Sequence, residues 1–383
     1  MDKPTVQDIF HRFYPAYLDQ YSPSPVQAKV AHNIMNCKTG AYGANVCVCE
    51  DCGFVQIHYN SCRNRCCPMC QAVPKEMWMD ARREDVLDAP YFHLVFTVPD
   101  ILNPVIYSNQ RLLYDALYHA ASSTISELTA DPKHLGAKVG YICILHTWGS
   151  EMNFHPHIHT VLLGGGLASN NQWRDNGENF FLPIRVISKV FRGKYLEELK
   201  SLWEEDKLVF HGTAEKFRNH YTFKELLDSC YGMDWIPHCK KTFNGAQTVI
   251  KYLGKYTHRI AVSNHRIVRM DDDTVTFLVK DYRNEGQWKE LTISGVEFVR
   301  RFLMHVPPRR FVRIRHYGLL CSRTKSQKLT LCRNLLGCKK YLSKLRDMEM
   351  PEILEHLYGI KVCVCKACGG HLGKPQMRMP LRC

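Results

Sequence analysis

Apolar residues across 5–36 recur at helical spacing, and the Ser22-Pro23-Ser24-Pro25 turn divides them into two expected helices. A cysteine-dense stretch follows at 37–70, then a helix over 74–88. Tyr91-Phe92-His93-Leu94-Val95-Phe96-Thr97-Val98-Pro99 is rich in aromatic and β-branched residues and predicts a buried strand. A long helix is expected over 101–130. Strands at 139–148 and 157–163, joined by the polar turn Gly149-Ser150-Glu151-Met152-Asn153, have the grammar of a hairpin. Gly164-Gly165-Gly166 ends the second strand, Ala168-Ser169-Asn170-Asn171-Gln172 is a loop, and helices follow at 184–204 and 213–230. Residues 245–260 read as an amphipathic helix and 261–293 as a β-meander through Asp271-Asp272-Asp273. Residues 294–305 read as helix again, before a basic stretch from 307 onward. This pattern predicts an α+β fold, an antiparallel sheet with helices on it. The expected division is a helical lead (1–36), a cysteine module (37–88), a main domain (89–305) and a basic C-terminal region (306–383).

Charge narrows the partners. Lys and Arg number 51 against 37 acidic residues, and the net charge of +14 is spread along the chain, as a phosphate backbone requires of its binder. The N-terminal residues hold no apolar run long enough for a signal peptide, and no segment reaches the roughly 18 apolar residues of a membrane span. A cytoplasmic location, at the nucleoid of a prokaryote, is expected. In that compartment 18 cysteines, clustered in two segments, point to metal and not to disulfides.

His155-Pro156-His157-Ile158-His159 carries the first candidate chemistry. Alternation along a strand puts His157 and His159 on one face and Ile158 on the other. Two neutral imidazoles with one oxygen ligand leave open positions, as a Mg²⁺ or Mn²⁺ ion acting on a scissile phosphate needs. Glu151, in the preceding turn, is the first choice for the third ligand, with His155 and Gln247 as alternatives. In Lys251-Tyr252-Leu253-Gly254-Lys255-Tyr256, Tyr252 and Tyr256 share one face of the expected helix. A phenol beside a cation can attack phosphorus, leaving a 5′-phosphotyrosine and a free 3′-hydroxyl. Lys251, Lys255 and Arg259 are suited to hold the phosphate. Either pattern alone is compatible with ordinary packing; their combination favours catalysis.

Cys49-x2-Cys52 and Cys67-x2-Cys70, fourteen residues apart, have zinc-ribbon spacing and predict one tetrahedral thiolate site. Cys37, Cys62 and Cys66, with a histidine such as His58, are candidates for a second zinc. Arg63 and Arg65 add positive charge suited to DNA contact. Cys365-x2-Cys368-Gly369-Gly370 looks like half of another ribbon, without an evident second pair apart from Cys363 and Cys383.

The histidine pair followed about ninety residues later by the paired tyrosines resembles the HUH endonuclease superfamily, and within it the two-tyrosine rolling-circle insertion-sequence transposases. Matching stretches run from Asn60 to Gln71, His93 to Pro99, Tyr252 to Asn264, and Phe311 to Gly318, so the resemblance spans residues 30–340. One departure is Cys66, where that pattern has histidine. The resemblance implies a ferredoxin-like sheet with the histidines on its central strand. It also implies His157 and His159 as metal ligands, Tyr252 and Tyr256 as nucleophiles, and single-stranded DNA at hairpin-marked element ends as substrate. A plasmid replication initiator or relaxase would use the same chemistry at another DNA site, and a non-catalytic zinc DNA-binding regulator would lack it. No G-x-x-x-x-G-K-[ST] loop occurs, so a host helicase is the expected partner for unwinding.

Overall fold

In α1 (Val6–Gln20) the buried Val6, Ile9, Phe10, Phe13, Tyr14 and Tyr17 repeat at three and four residues and form a single apolar stripe. Thr5 with Asp8 caps α1, and Ser24 with Gln27 caps α2 (Pro25–Met35), each as a reciprocal capping box. The expected break therefore carries its own start signal for α2. The computed structural model describes residues 3–176, 182–235, 238–243, 248–249, 254, 260–281, 285–374 and 376–378.

A hairpin of β1 (Ala44–Val48) and β2 (Val55–Tyr59) is followed by α3 (Ala72–Arg83) and β3 (Tyr91–Thr97). The helix expected over 101–130 is divided into a turn at Asp100–Leu102, α4 (Asn103–Ser108) and α5 (Gln110–Ala130). Asn109 causes the break. Its side-chain amide donates to the carbonyls of Val105 (2.9 Å) and Val209 (2.7 Å) and accepts from the Val209 N–H (2.8 Å). A contact across a hundred residues thus overrides local helical preference.

The predicted hairpin is β4 (Lys138–Trp148) and β5 (Phe154–Leu167), with the short β6 (Trp173–Asp175) on β5. Then come α6 (Ile184–Glu204), α7 (His220–Gly232), β7 (His238–Phe243) and the expected meander β8 (Ile267–Met270), β9 (Thr274–Asp281) and β10 (Gln287–Ser294). A helix at Gly295–Met304, β11 (Ile314–Gly318), helices at Lys325–Leu336 and Met350–Tyr358, and β12 (Gln376–Arg378) complete the described chain.

The main sheet has the order β11-β4-β5-β3-β7, with every neighbouring pair antiparallel. Its strands β3, β4, β5 and β7, with helices after the first and third, give the ferredoxin-like β-α-β-β-α-β succession. The histidine-bearing β5 lies at the centre, as expected. One face buries Phe92, Leu94, Phe96, Leu145, Ile158 and Leu162 in a core shared with α5, α6 and α7. The other packs Ile142, Ile144, Val161 and Leu163 with Met79 of α3, Val249 and Leu329.

A second core joins α1 and α2 to the meander and to the helix Gly295–Met304, where Phe10 meets Phe302 edge to face at 5.3 Å. It extends to Trp148 and Met152 at the β4–β5 turn and to Cys66 and Cys67. The N-terminal helices therefore support the far side of the histidine hairpin.

A histidine cleft and two thiolate groups

Alternation on β5 does place His157 and His159 together on the face opposite Ile158. Across the hairpin, His146 of β4 pairs directly with His157. The ring nitrogens of His146, His157 and His159 lie within 4.8 Å of one another, and all three residues are buried. Glu151 is not in this group. It is exposed in the turn, where its carbonyl accepts from Arg301 (2.9 Å), and the side chain that stands beside the pair is His146. His155 turns to Asp100, at 3.3 Å, and is also outside the group.

Hydrogen bonds orient these rings for a cation. His157 Nδ1 lies 2.7 Å from the His155 carbonyl, which can only accept, so this nitrogen carries the proton and Nε2 presents a lone pair. His159 Nε2 is 3.0 Å from that lone pair. On its other side His159 Nδ1 bonds His93 Nε2 at 2.9 Å. Ligands at about 2.1 Å and at right angles stand about 3.0 Å apart, so both Nε2 atoms suit adjacent positions on an octahedral ion. Burial pushes the His157 imidazole down to about 4, assisted by His155. Burial also lowers His159 well below its ordinary value, with His146, His157 and His93 adding to it. Neutral rings of this kind are able to coordinate a cation. Trp148 fixes His146 from below by stacking at 4.4 Å.

The histidines open into a cleft of about 650 Å³ whose far wall is the meander, through His265, Arg266, Lys280 and Trp288. Arg266 is buried and donates to the carbonyls of Leu278 (2.7 Å) and Ser150 (2.6 Å), locking that wall to the β4–β5 turn. Lys280 stands 5.3 Å over the Trp288 ring, which is 53% exposed. A cation and an open indole beside three buried imidazoles can hold a phosphate and stack a base. Sequence reasoning missed His93, His146, Lys280 and Trp288. His146 was signalled only by standing two residues before Trp148 on a strand whose register places it beside His157. Tyr252, Tyr256, Lys251, Lys255, Arg259 and Gln247 lie outside the described residues.

The cysteines divide differently from their spacing. Cys37, Cys62, Cys67 and Cys70 form one group, and Cys49, Cys52, Cys365 and Cys368 form another. The single site expected from Cys49, Cys52, Cys67 and Cys70 does not form, because the β1–β2 hairpin separates the two pairs. Cys49 and Cys52 sit at its tip, whereas Cys62, Cys67 and Cys70 follow its open end, and five strand residues extend about 16 Å. Cys37 and Cys62, expected in a second site, instead complete the set around Cys67 and Cys70. Cys66 is buried outside both groups, with its thiol pushed up to about 11 by burial, and His58 bonds Gln56.

The first group fits zinc. Cys62 and Cys70 sulfurs are 3.8 Å apart, the edge of a tetrahedron with bonds of about 2.3 Å. N–H groups of Cys62 and Asn64 point at the sulfurs of Cys37 and Cys62, each at 3.5 Å, as thiolates require. Arg65 donates to the carbonyls of Phe311 (2.5 Å) and Pro308 (3.4 Å), binding this loop to the segment before β11, while Arg63 is exposed.

Residues 140–328 match the family described as "Putative transposase", and residues 9–98 match "Transposase zinc-binding domain", which contains the whole first thiolate group. The chain belongs to the rolling-circle insertion-sequence transposases of the IS91/IS801 family. It is 40% identical over 369 residues to the "Putative transposase y4qJ" of Sinorhizobium fredii, covering 95% of this chain and 93% of that protein. It is 29% identical over 308 residues to the transposase for insertion sequence element IS801 of Pseudomonas savastanoi pv. phaseolicola, covering 79% and 72%. Among solved structures, the metal-free conjugative relaxase TrwC in complex with oriT DNA aligns over 29% of this chain and 44% of its own, with 18% identity and a TM-score of 0.24. That score is too low to relate one site to another. Among the described residues no helix is long and apolar enough to cross a membrane.

Proposed function

We propose that this transposase cleaves and rejoins single-stranded DNA at the hairpin-bearing ends of its element. In this reading Tyr252 and Tyr256 are alternating nucleophiles, and His146, His157 and His159 hold a divalent metal, Mg²⁺ or Mn²⁺. The observation that carries the reading is the convergence of three buried imidazoles in a cleft walled by Lys280 and Trp288. The bound ion supplies Lewis-acid polarisation of the scissile phosphate.

The chain's own groups do the rest. His93 and the His155 carbonyl hold the two β5 imidazoles in orientation. Trp288 stacks a base and Lys280 meets a phosphate, which orients the strand against the triad. The phenolic oxygen of one tyrosine forms a bond to phosphorus as the bond to the 3′-oxygen breaks. The phenol loses its proton, the 3′-oxygen gains one, and the phosphate remains diesterified on its 5′ side. Reversal with a new 3′-hydroxyl rejoins the strand. Val249 and Gly254, the described residues on either side of Tyr252 in sequence, both pack on the histidine-bearing side of the sheet. Val249 packs with Ile144 and Val161, and a Cβ at Gly254 would stand 1.9 Å from the Met79 sulfur. Arg63, Arg65, Lys251, Lys255 and Arg259 extend the basic surface for DNA, and a host helicase opens the duplex.

The test is a labelled single-stranded oligonucleotide carrying an element end, incubated with Mn²⁺. Wild type should form a 5′-linked covalent adduct. His157→Ala should lower its rate by about 10³-fold while DNA binding persists. Each single Tyr→Phe variant should retain nicking but fail in full transposition, and the double variant should form no adduct. An adduct from the double variant assigns the nucleophile elsewhere.

A further inference from the structure

The segment 361–374 returns to the N-terminal module, and we propose that Cys49, Cys52, Cys365 and Cys368 bind a zinc ion that clasps this segment to the tip of the β1–β2 hairpin. Residues 365 and 368 lie far outside the matched zinc-binding domain, which ends at residue 98. This site is independent of the histidine cleft.

The geometry of the four sulfurs is that of a metal site. Cys49 lies 3.6 Å from Cys368 and Cys52 lies 3.8 Å from Cys365. These separations lie within about 0.2 Å of the tetrahedral edge of about 3.8 Å expected around zinc with four thiolates. They are nearly twice the roughly 2.05 Å of a disulfide.

The two contributing segments are also built alike. Each reads Cys-x-x-Cys-Gly, with Gly53 at φ +71° and Gly369 at φ +78° in the left-handed region that suits glycine. The N–H of Gly53 bonds the Cys49 carbonyl and that of Gly369 bonds the Cys365 carbonyl, each at 3.0 Å. The N–H of Cys49 bonds the Phe54 carbonyl (2.9 Å), as that of Cys365 bonds Gly370 (2.8 Å). The second turn aims the N–H groups of Ala367 and Gly370 at the Cys365 and Cys368 sulfurs, each at 3.4 Å, where they would stabilise thiolates. Two matched knuckles therefore face each other across one point. Cys67-Pro68-Met69-Cys70-Gln71 lacks the glycine and is a different turn.

The packing around this point is too small to hold the tail by itself. The local cluster contains Cys47, Cys49, Cys365 and Leu372, so Leu372 is its only aliphatic side chain. Backbone pairing adds β12 to β1, from Val46–Gln376 to Ala44–Arg378, with Gly373 donating to Val48 (2.9 Å) and Glu50 to His371 (3.1 Å). Hydrogen bonds of this kind contribute little net against the entropy of ordering a segment with so small a core. A metal supplies what the missing core does not.

Zinc content of the full chain tests this, measured on wild type and on the double variants Cys365→Ser/Cys368→Ser and Cys49→Ser/Cys52→Ser. Both variants should contain about one equivalent fewer than wild type, because a four-thiolate site fails when either half is lost. The tail supplies a readout that does not depend on the variants. Limited proteolysis of wild type should cut within 361–378 at least about tenfold faster after chelation than with zinc restored, as expected when a metal supplies the folding energy. Unchanged zinc in Cys365→Ser/Cys368→Ser, or a cleavage rate indifferent to chelator, overturns the clasp. Loss of zinc in the Cys49 variant alone overturns the pairing of the two knuckles.

Discussion

The histidine triad and the thiolate groups both bring metal-ligating side chains together, yet they are constructed in opposite ways. The imidazoles sit on the two central strands of a sheet, and β pairing and a hydrophobic core hold them converged. The thiolates sit on turns and loops; the first group borders the second core, whereas the group of Cys49, Cys52, Cys365 and Cys368 lies by a three-stranded sheet whose apolar packing is slight. A site that loses its ion should keep its shape in the first case and lose it in the second. Sheet-borne ligands thus suit an exchangeable catalytic ion, and loop-borne ligands suit a permanent structural one.

The largest expected effect tests the thiolate half of this contrast. Cys67→Ser/Cys70→Ser should unfold the N-terminal module, since structural zinc is worth on the order of 10 kcal/mol of folding free energy in small domains. Hydrogen exchange should reveal lost protection over 37–70 while β3, β4 and β5 stay protected. Equal loss in the main sheet would mean that the two regions fold as one.

The next effect concerns pH. His305 is buried, donates from Nε2 to the Met152 carbonyl (3.0 Å) and bonds Thr147 Oγ1 through Nδ1 (3.1 Å). Burial pushes it down to about 4 from an ordinary 6.5. The unfolded chain therefore binds this proton between pH 6.5 and 4 while the folded chain does not, and stability falls as pH drops through that window. The span corresponds to about 3 kcal/mol for this residue. Denaturant melts should be flat above pH 7 and decline below 6.5, and His305→Gln should have a shallower slope over that interval. Identical slopes would remove His305 from the account.

A smaller effect separates ligand from bystander. His146→Ala should weaken Mn²⁺ binding, read by calorimetry, by on the order of a hundredfold, as loss of one ligand costs a few kcal/mol. Glu151→Ala should leave it within about twofold, as expected of an exposed surface substitution. The reverse result would return Glu151 to the metal. His93→Phe should cost about tenfold, by releasing His159 from its orienting bond, and His93→Gln should recover part of it.

Much of this arrangement was legible along the chain because it depends on local periodicity. The α1 stripe, the caps at Thr5 and Ser24, the β4–β5 hairpin and the shared face of His157 and His159 each follow from neighbours a few residues apart. Two spacings misled for a common reason. C-x-x-C pairs close together in sequence suggested one zinc ribbon, but a hairpin stands between them, and spacing measures contour length and not the direction of the chain. The oxygen ligand sought in Glu151 was chosen from the adjacent turn, whereas antiparallel register delivered a third imidazole from the facing strand.

By itself, then, the sequence determined the elements, the sheet face that bears chemistry and the residue types able to bind metal, since these follow from backbone periodicity and side-chain inventory. Tertiary structure alone decided which candidate ligands stand together. The break at Asn109, the pairing of His146 with His157, and the meeting of Cys49 and Cys52 with Cys365 and Cys368 all depend on contacts between remote segments. Such contacts form only when the cores have brought those segments together, because closing a long loop costs entropy that no local signal repays.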